Sequence, residues 1–480
     1  MRIRETAPTF VMLGLVAFEI SVLAVLVLFP YLPDPGFSSL NVGLYLLLAP
    51  LSALFLLGLL YAWLAKLGTR AAVRRSVAFR SFLQFLSVPF KNLISSLRSV
   101  SLSDSAREFK ILSHPKLMLA VSLFISSLLA FVPYRPDLNP SGALVGIDSP
   151  TYVTWINQMT SKPLVQALQY SFVTGLDGSR PLLLILLYLV ASAGVSPDLI
   201  IEYLPIVLAP FLSLSSYVFV RYGHGSANFA ALAALFTPLS FYVTVGMQGG
   251  YYANMLGMIE AYIFLTCLLL FSKRTSTARY GALFVLSIAL FLTHPWTWVL
   301  IITTSLVFAL SVWKETSHSI DLKSIIGIIA SGIILDVLKS SVFATRTVAA
   351  DLATKVPTVG QVASFWTNLV YALLYTHGGL LGNWLLLGVG LLSVFALRFR
   401  DRFERLLIIW VGAASVPFLL LDSYHQARIV YDLPIPVLGS IAVLFFLPQV
   451  GTRNIRWPGL LIIILLVLSA NYALQSILFL

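Results

Sequence analysis

The hydrocarbon core of a bilayer is about 30 Å thick, and an α-helix needs roughly 20 mostly apolar residues to cross it. This chain supplies such runs repeatedly, at 8–29, 42–65, 116–133, 199–220, 228–246, 254–271, 297–313, 324–342, 380–397, 406–421, 433–449 and 457–477, with a shorter one at 280–293. In hydrocarbon every backbone N–H and C=O must be satisfied within the protein, and uninterrupted runs of this length do so as helices. The composition agrees. Of 480 residues 59% are apolar and only 10% charged, with a mean hydropathy of +0.92, which excludes a soluble multidomain enzyme and a disordered chain. The one cysteine, Cys267, lies inside an apolar run, so neither a disulfide framework nor a cysteine metal site is available. The expected fold class is an all-α polytopic membrane protein with about 13 transmembrane helices.

The net charge of +12 reads first as loops obeying the positive-inside rule, not as a nucleic-acid surface. Cations cluster at 66–116, 221, 273–279, 314–323, 398–405 and 453–456. They share one side only if the short apolar stretch 181–195 does not cross. That topology gives a cytoplasmic N-terminus, an external C-terminus and two large external loops, 134–198 and 343–379. Four regions follow: two N-terminal helices in 1–65, a basic amphipathic segment in 66–115, a core over 116–449 carrying both loops, and a last helix in 450–480. The basic segment interleaves cations with Phe82, Phe85 and Phe90 and reads as an in-plane collar on anionic lipid.

Charge inside hydrocarbon is costly, so the few carboxylates within spans are informative. Glu202, Glu260 and Asp336 fall in the external halves of their spans, and Glu19 near the middle of the first. Asp336 can pair with Lys339 one helical turn on, Glu19 can hold helices together, and Glu202 can snorkel. Glu260 has no cation within a turn. Among external cations Arg428, in DSYHQARIVYDLPIP, can grip a phosphate bidentately at headgroup level, or pair with Asp422 or Asp432. His294 stands at an external turn beside Trp296 and Trp298, where hydrogen bonding and an aromatic belt are sufficient explanations.

Two loop motifs complete the candidates. GIDSPTYVTWINQM puts Asp148 at a helix start, where capping alone would explain it. VGMQGGYYANMLGM joins two spans through a turn permitted by Gly249 and Gly250, and is expected to present Tyr251, Tyr252 and Asn254 outward.

The order of these features resembles the C-superfamily (GT-C) of membrane glycosyltransferases, most closely the membrane part of the oligosaccharyltransferase catalytic subunit. GIDSPTYV resembles the family's first large external loop with its acid, and RIVYDLPIP the late segment in which an arginine meets the donor phosphate. The resemblance covers roughly 116–449. The family's usual second-loop acid is replaced by Asn254, with Glu260 the nearest carboxylate; the Trp-Trp-Asp-Tyr-Gly motif and a large soluble C-terminal domain are absent from the sequence, so transfer to asparagine is not expected.

The resemblance implies an inverting enzyme of the cell envelope that moves a sugar from a polyprenyl-phosphate donor to a glycan, lipid or protein acceptor on the external face. Asp148 would be the catalytic base, with Glu260 and Glu202 as supporting acids. Arg428, with Lys355 and Arg346 on the second loop, would bind the donor phosphate. Tyr251, Tyr252, Asn254, His294 and Trp296 would contact sugar or acceptor, and Asp148 with Glu260 are the candidate ligands for Mg²⁺ or Mn²⁺. Partners are membrane lipid and the donor, not nucleic acid. The competing readings are a lipid-linked-sugar flippase or transporter, and an inactive scaffold of the same fold.

Overall fold

A computed structural model describes residues 114–137, 139–174, 178–273, 276–313, 322–355, 384–394, 397–420 and 428–450. The expected spans 8–29, 42–65 and 457–477, all but the last two residues of the basic segment 66–115, Glu19, Asp422 and most of the loop 343–379 lie outside them. The described residues form helices and no strands. In chain order these are α1 Pro115–Phe131, α2 Ser149–Thr160, α3 Leu164–Val173, α4 Pro181–Ser192, α5 Pro197–Gly223, α6 Ala227–Leu239, α7 Phe241–Gln248, α8 Tyr252–Lys273, α9 Thr277–Thr293, α10 Pro295–Val312, α11 Leu322–Phe343, α12 Val348–Lys355, α13 Trp384–Ser393, α14 Arg402–Leu420 and α15 Ile435–Val450. Among the described residues six stretches are long and apolar enough to cross a membrane: Pro115–Tyr134, Pro197–Gly223, Ala227–Gln248, Tyr252–Ser272, Pro295–Val312 and Leu322–Phe343. The chain is membrane-embedded.

The starts of the helices follow from local chemistry. Ser196, Ser226, Ser240 and Ser276 each accept a backbone N–H two or three residues ahead, and proline occupies the first turn of α1, α2, α4, α5 and α10, where its missing N–H costs nothing. Pro238 and Ser240 break one buried span into α6 and α7. That span is the axis of the bundle, and α1, α5, α8 and α15 pack around it. Ala230, Ala231, Ala233 and Ala234 are fully buried in α6, and such small side chains let neighbouring backbones close in. Hydroxyls bridge the same helices: Ser126 with Ser213 at 2.7 Å and Ser216 with Thr237 at 2.8 Å. Around this axis α1 turns Leu117, Val121, Phe124 and Leu128 outward, and α11 turns Ile326, Ile333, Val337 and Val342 outward. These are stripes at helical spacing that suit a lipid surface.

The ends of the bundle differ in kind. At one end Arg402 Nη1 donates to Ser272 O at 2.7 Å, Arg405 Nη1 to Ser311 O at 3.1 Å and Arg279 Nη1 to Leu270 O at 2.6 Å. The opposite end gathers 134–148, 178–180, 247–254, 293–297 and 428–433. Helix α4 has 12 residues, about 18 Å at 1.5 Å per residue, short of a bilayer's hydrocarbon. It leaves from Arg180 beside Asp148, and the first turns of α5 return Glu202 to within electrostatic reach of Tyr134. Both ends of α4 therefore lie at the same end of the bundle, and the stretch 181–195 does not cross. The expected pair Asp336–Lys339 is present, Oδ1 to Nζ at 4.0 Å. Asp336 Oδ2 also accepts from Val348 N at 2.8 Å, and Lys339 Nζ donates to Gly178 O at 3.3 Å, so the pair ties α11 to the start of α12 and to the loop before α4.

Candidate functional site

Two loops meet where the sequence motifs lie. Ile147 N–H donates to Gln248 O at 2.8 Å, and Tyr251 N–H to Gly246 O at 2.7 Å. Gly146 (φ +106°) and Gly250 (φ +66°) both occupy the left-handed region. A Cβ on Gly146 would stand 2.3 Å from Met247 O, and one on Gly250 2.8 Å from Asp148 Cβ, so only glycine permits this contact. The Tyr252 and Ser149 hydroxyls are 2.7 Å apart, locking the start of α8 to the start of α2. Asp148 is thereby seated directly on the Gly249–Gly250 turn.

Asp148 is the N-cap residue of α2, yet its side chain makes no capping hydrogen bond. It is 37% exposed, with Oδ2 3.9 Å from Nη1 of Arg180, whose side chain is 2% exposed. That same nitrogen donates to the Tyr152 hydroxyl at 2.6 Å, and the guanidinium stands 5.7 Å from the centre of the Tyr152 ring. Burial raises the Tyr152 pKa against the pull of Arg180, so the phenol stays neutral. Arg180 is absent from the sequence-derived candidates. Its signal was faint: a cation directly before Pro181 and a long apolar run, where a solvated position is hard to arrange.

Arg428 is 6% exposed, and its guanidinium carbon lies 5.2 Å from the centre of the Tyr251 ring. Its loop is pinned from both sides, since Tyr431 Oη donates to Tyr242 O at 2.6 Å and Tyr242 Oη donates to Leu433 O. Asp432, one turn from Arg428, is 3% exposed. Its Oδ2 accepts from Thr297 Oγ1 at 2.8 Å, and that hydroxyl lies 2.7 Å from His294 Nδ1. Burial raises Asp432 to about 7, opposed by the Thr297 hydroxyl, the Asn254 amide and Arg428. Burial, with the positive charges of Arg428 and Arg180, holds His294 well below its ordinary value, so the imidazole is neutral. His294 also caps α10 by accepting from Thr297 N at 3.3 Å, which is the turn role the sequence allowed it.

The other candidates separate. Tyr252 and Asn254 were expected to face outward; both are fully buried, and Tyr251 is 9% exposed, because α8 begins at Tyr252 and turns these side chains against α2 and the Arg428 loop. Glu260 accepts from Thr293 Oγ1 at 3.0 Å, beneath His294. Glu202 lies near Tyr134, and among the described residues no hydrogen bond or ion pair joins it to Asp148. Arg346 is exposed in the turn before α12, and the side chain of Lys355 lies outside the described residues. Among the described residues no three His, Cys, Asp or Glu side chains gather as a metal-binding group, and Asp148 has a guanidinium at 3.9 Å; this donor set does not fit Mg²⁺ or Mn²⁺, which want several oxygens and no adjacent cation.

Trp296, Arg428 and Asp432 stand at the mouth of a groove of about 540 Å³ between α10 and α14. Val299, Leu300, Thr303 and Val307 form one wall, and Ile409, Gly412, Ala413, Val416 and Pro417 the other. From residue 296 to residue 307 the groove follows α10 for about 16 Å. No family model, curated protein or solved structure matches this chain.

Proposed function

We propose that this chain is a membrane glycosyltransferase that moves a sugar from a polyprenyl-phosphate donor to an acceptor at the end of the bundle bearing Asp148. One observation carries the reading: an apolar groove with a buried guanidinium at its mouth, one loop away from a solvent-accessible carboxylate. A polyprenyl phosphate has a long apolar tail and a headgroup anion, and the groove offers a complement to each. The tail would lie along Leu300, Val307, Ile409 and Val416, and the phosphate against Arg428, which would neutralise the charge developing on the departing phosphate. Tyr251, under that guanidinium, links Arg428 to the Gly249–Gly250 turn on which Asp148 rests. Asp148 would accept the proton of an acceptor hydroxyl, a contribution of about 10²–10⁴-fold in rate. Arg180 stands 3.9 Å from that carboxyl group, which makes no cap on α2. Trp296, partly exposed at the mouth, offers a face for the sugar. In this orientation the site end faces away from the cytosol, as the basic hairpins at the opposite end favour.

The test is incubation of purified protein in non-ionic detergent with labelled polyprenyl-phosphate sugars and a membrane extract of acceptors. Label is expected to leave the lipid, and Asp148→Asn to stop it. Transport has no meaning in detergent, so transfer there excludes the flippase reading. Donor that binds and is never consumed would instead make the chain an inactive scaffold.

A further inference from the structure

Asp432 lines the same groove mouth as Arg428, and a carboxylate there opposes any bound anion. It is one of the most enclosed acids among the described residues, and its Oδ1 has no hydrogen bond of proper geometry. The Asn254 amide is near enough to act on it, yet both polar atoms of that side chain are also unmatched. Its other oxygen is engaged by Thr297, which in turn meets His294 Nδ1. A carboxylate with one oxygen bound and the other enclosed and unmatched is costly to keep charged, whereas a carboxylic acid in the same place, on a residue that lines the groove, supplies a donor.

From this arrangement we propose that Asp432 is a second anion-binding group of the groove, acting as a neutral acid that donates its proton to the ligand oxygen held by Arg428. The inference rests on the groove reading given above. The groups that face Asp432 are Arg428 and Tyr431 on its own segment, Tyr242 from α7, Asn254 from α8, and Thr297 with His294 from the start of α10. His294 stays neutral, which leaves Asp432 as the group of this cluster that changes charge near neutral pH. Binding of an anion then requires the acid form. Below about 7 that form is already present and affinity is constant. Above it one proton must be taken up with each ligand, and affinity falls by up to about tenfold per pH unit.

The probe is phytanyl sulfate, a saturated prenyl chain whose single charge does not titrate in this range, with inorganic sulfate as the tail-less arm. Binding to full-length protein in non-ionic detergent is measured by calorimetry at about pH 6 and about pH 8.5. The wild type is expected to lose about tenfold or more in affinity at the higher pH, with uptake of nearly one proton per ligand. Asp432→Asn, which can donate without ionising, should bind tightly at both values and take up none. Thr297→Val, which removes a hydrogen bond to the carboxylate, should move the midpoint upward, and Thr297→Ser should restore it. Inorganic sulfate should bind far more weakly throughout. Tight wild-type binding with no pH dependence, or an Asp432→Asn variant that keeps the wild-type fall, overturns the inference and leaves the groove intact. No binding of phytanyl sulfate at either pH, or equal affinity for inorganic sulfate, removes the lipid groove and the inference with it.

Discussion

At the scale of single residues the cluster is organised by what burial does to charge. Arg180 cannot lose its proton, so it must be matched, and Tyr152 and Asp148 are among the groups that match it. Arg180→Gln should cost about 2–4 kcal/mol in stability, because Tyr152 loses a charge-assisted bond in a closed site, and should slow transfer as well; a variant that melts like wild type would remove this account. Asp148→Asn should lower transfer by about 10²-fold or more with expression and melting unchanged, since Asp148 makes no cap and is 37% exposed. Asp432 behaves in the opposite sense from a usual carboxylate. Its folded value of about 7 lies above its ordinary 3.8, so the folded chain holds an extra proton between those values and loses stability as pH rises through them. Asp432→Asn should therefore melt higher than wild type by a margin that widens from about pH 5 to about pH 8, reaching at most about 4 kcal/mol; a constant margin would mean that the carboxyl is ionised throughout. Little of this was visible in the chain. Asp148, Arg428 and His294 stood out because a charge or an imidazole next to a span is rare. Arg180 and Thr297 belong to commonplace strings, and their importance comes from contacts across more than a hundred positions with Asp432 or from enclosure by α2.

At the scale of elements the sequence was more readable. Apolar runs located α1, α4, α5, α8 to α11 and α13 to α15 to within a few residues, because desolvation of the backbone dictates them, whereas α3 and α12 carry no such run and the break between α6 and α7 falls inside one. The Gly249–Gly250 turn was legible for the same reason: Gly250 needs a left-handed backbone. The direction of Tyr252 and Asn254 was not, since a one-residue change in where α8 begins rotates each side chain by about 100°. The wall of the groove offers a clean test. Gly412 lines it, and a Cβ there meets nothing within 4 Å. Gly412→Leu should fill the space, weaken phytanyl sulfate binding by about tenfold or more and leave melting within about 0.5 kcal/mol. Gly332 is the contrasting case, with Trp298 Cζ2 2.1 Å from the Cβ it would carry; Gly332→Ala should destabilise by about 1–3 kcal/mol through overpacking of α10 on α11.

At the scale of the whole molecule, the short helix α4 settles parity. Because it returns to the end it left, Asp148 and Arg428 lie at one end of the bundle and the arginine-rich hairpins at the other. In a Cys267→Ser background, Ser141→Cys and Arg400→Cys, both exposed, should react with an impermeant maleimide from opposite faces of sealed vesicles; labelling from one face would break this topology. The groove has a further consequence. Its rims include Val307 and Val416, 42% and 62% exposed on flanks that suit lipid, so it is entered sideways from the bilayer, not from solution. Occupancy is then set by how many prenyl chains there are per lipid molecule. Adding inert phospholipid should empty it, while diluting the vesicle suspension with buffer should leave it as full as before.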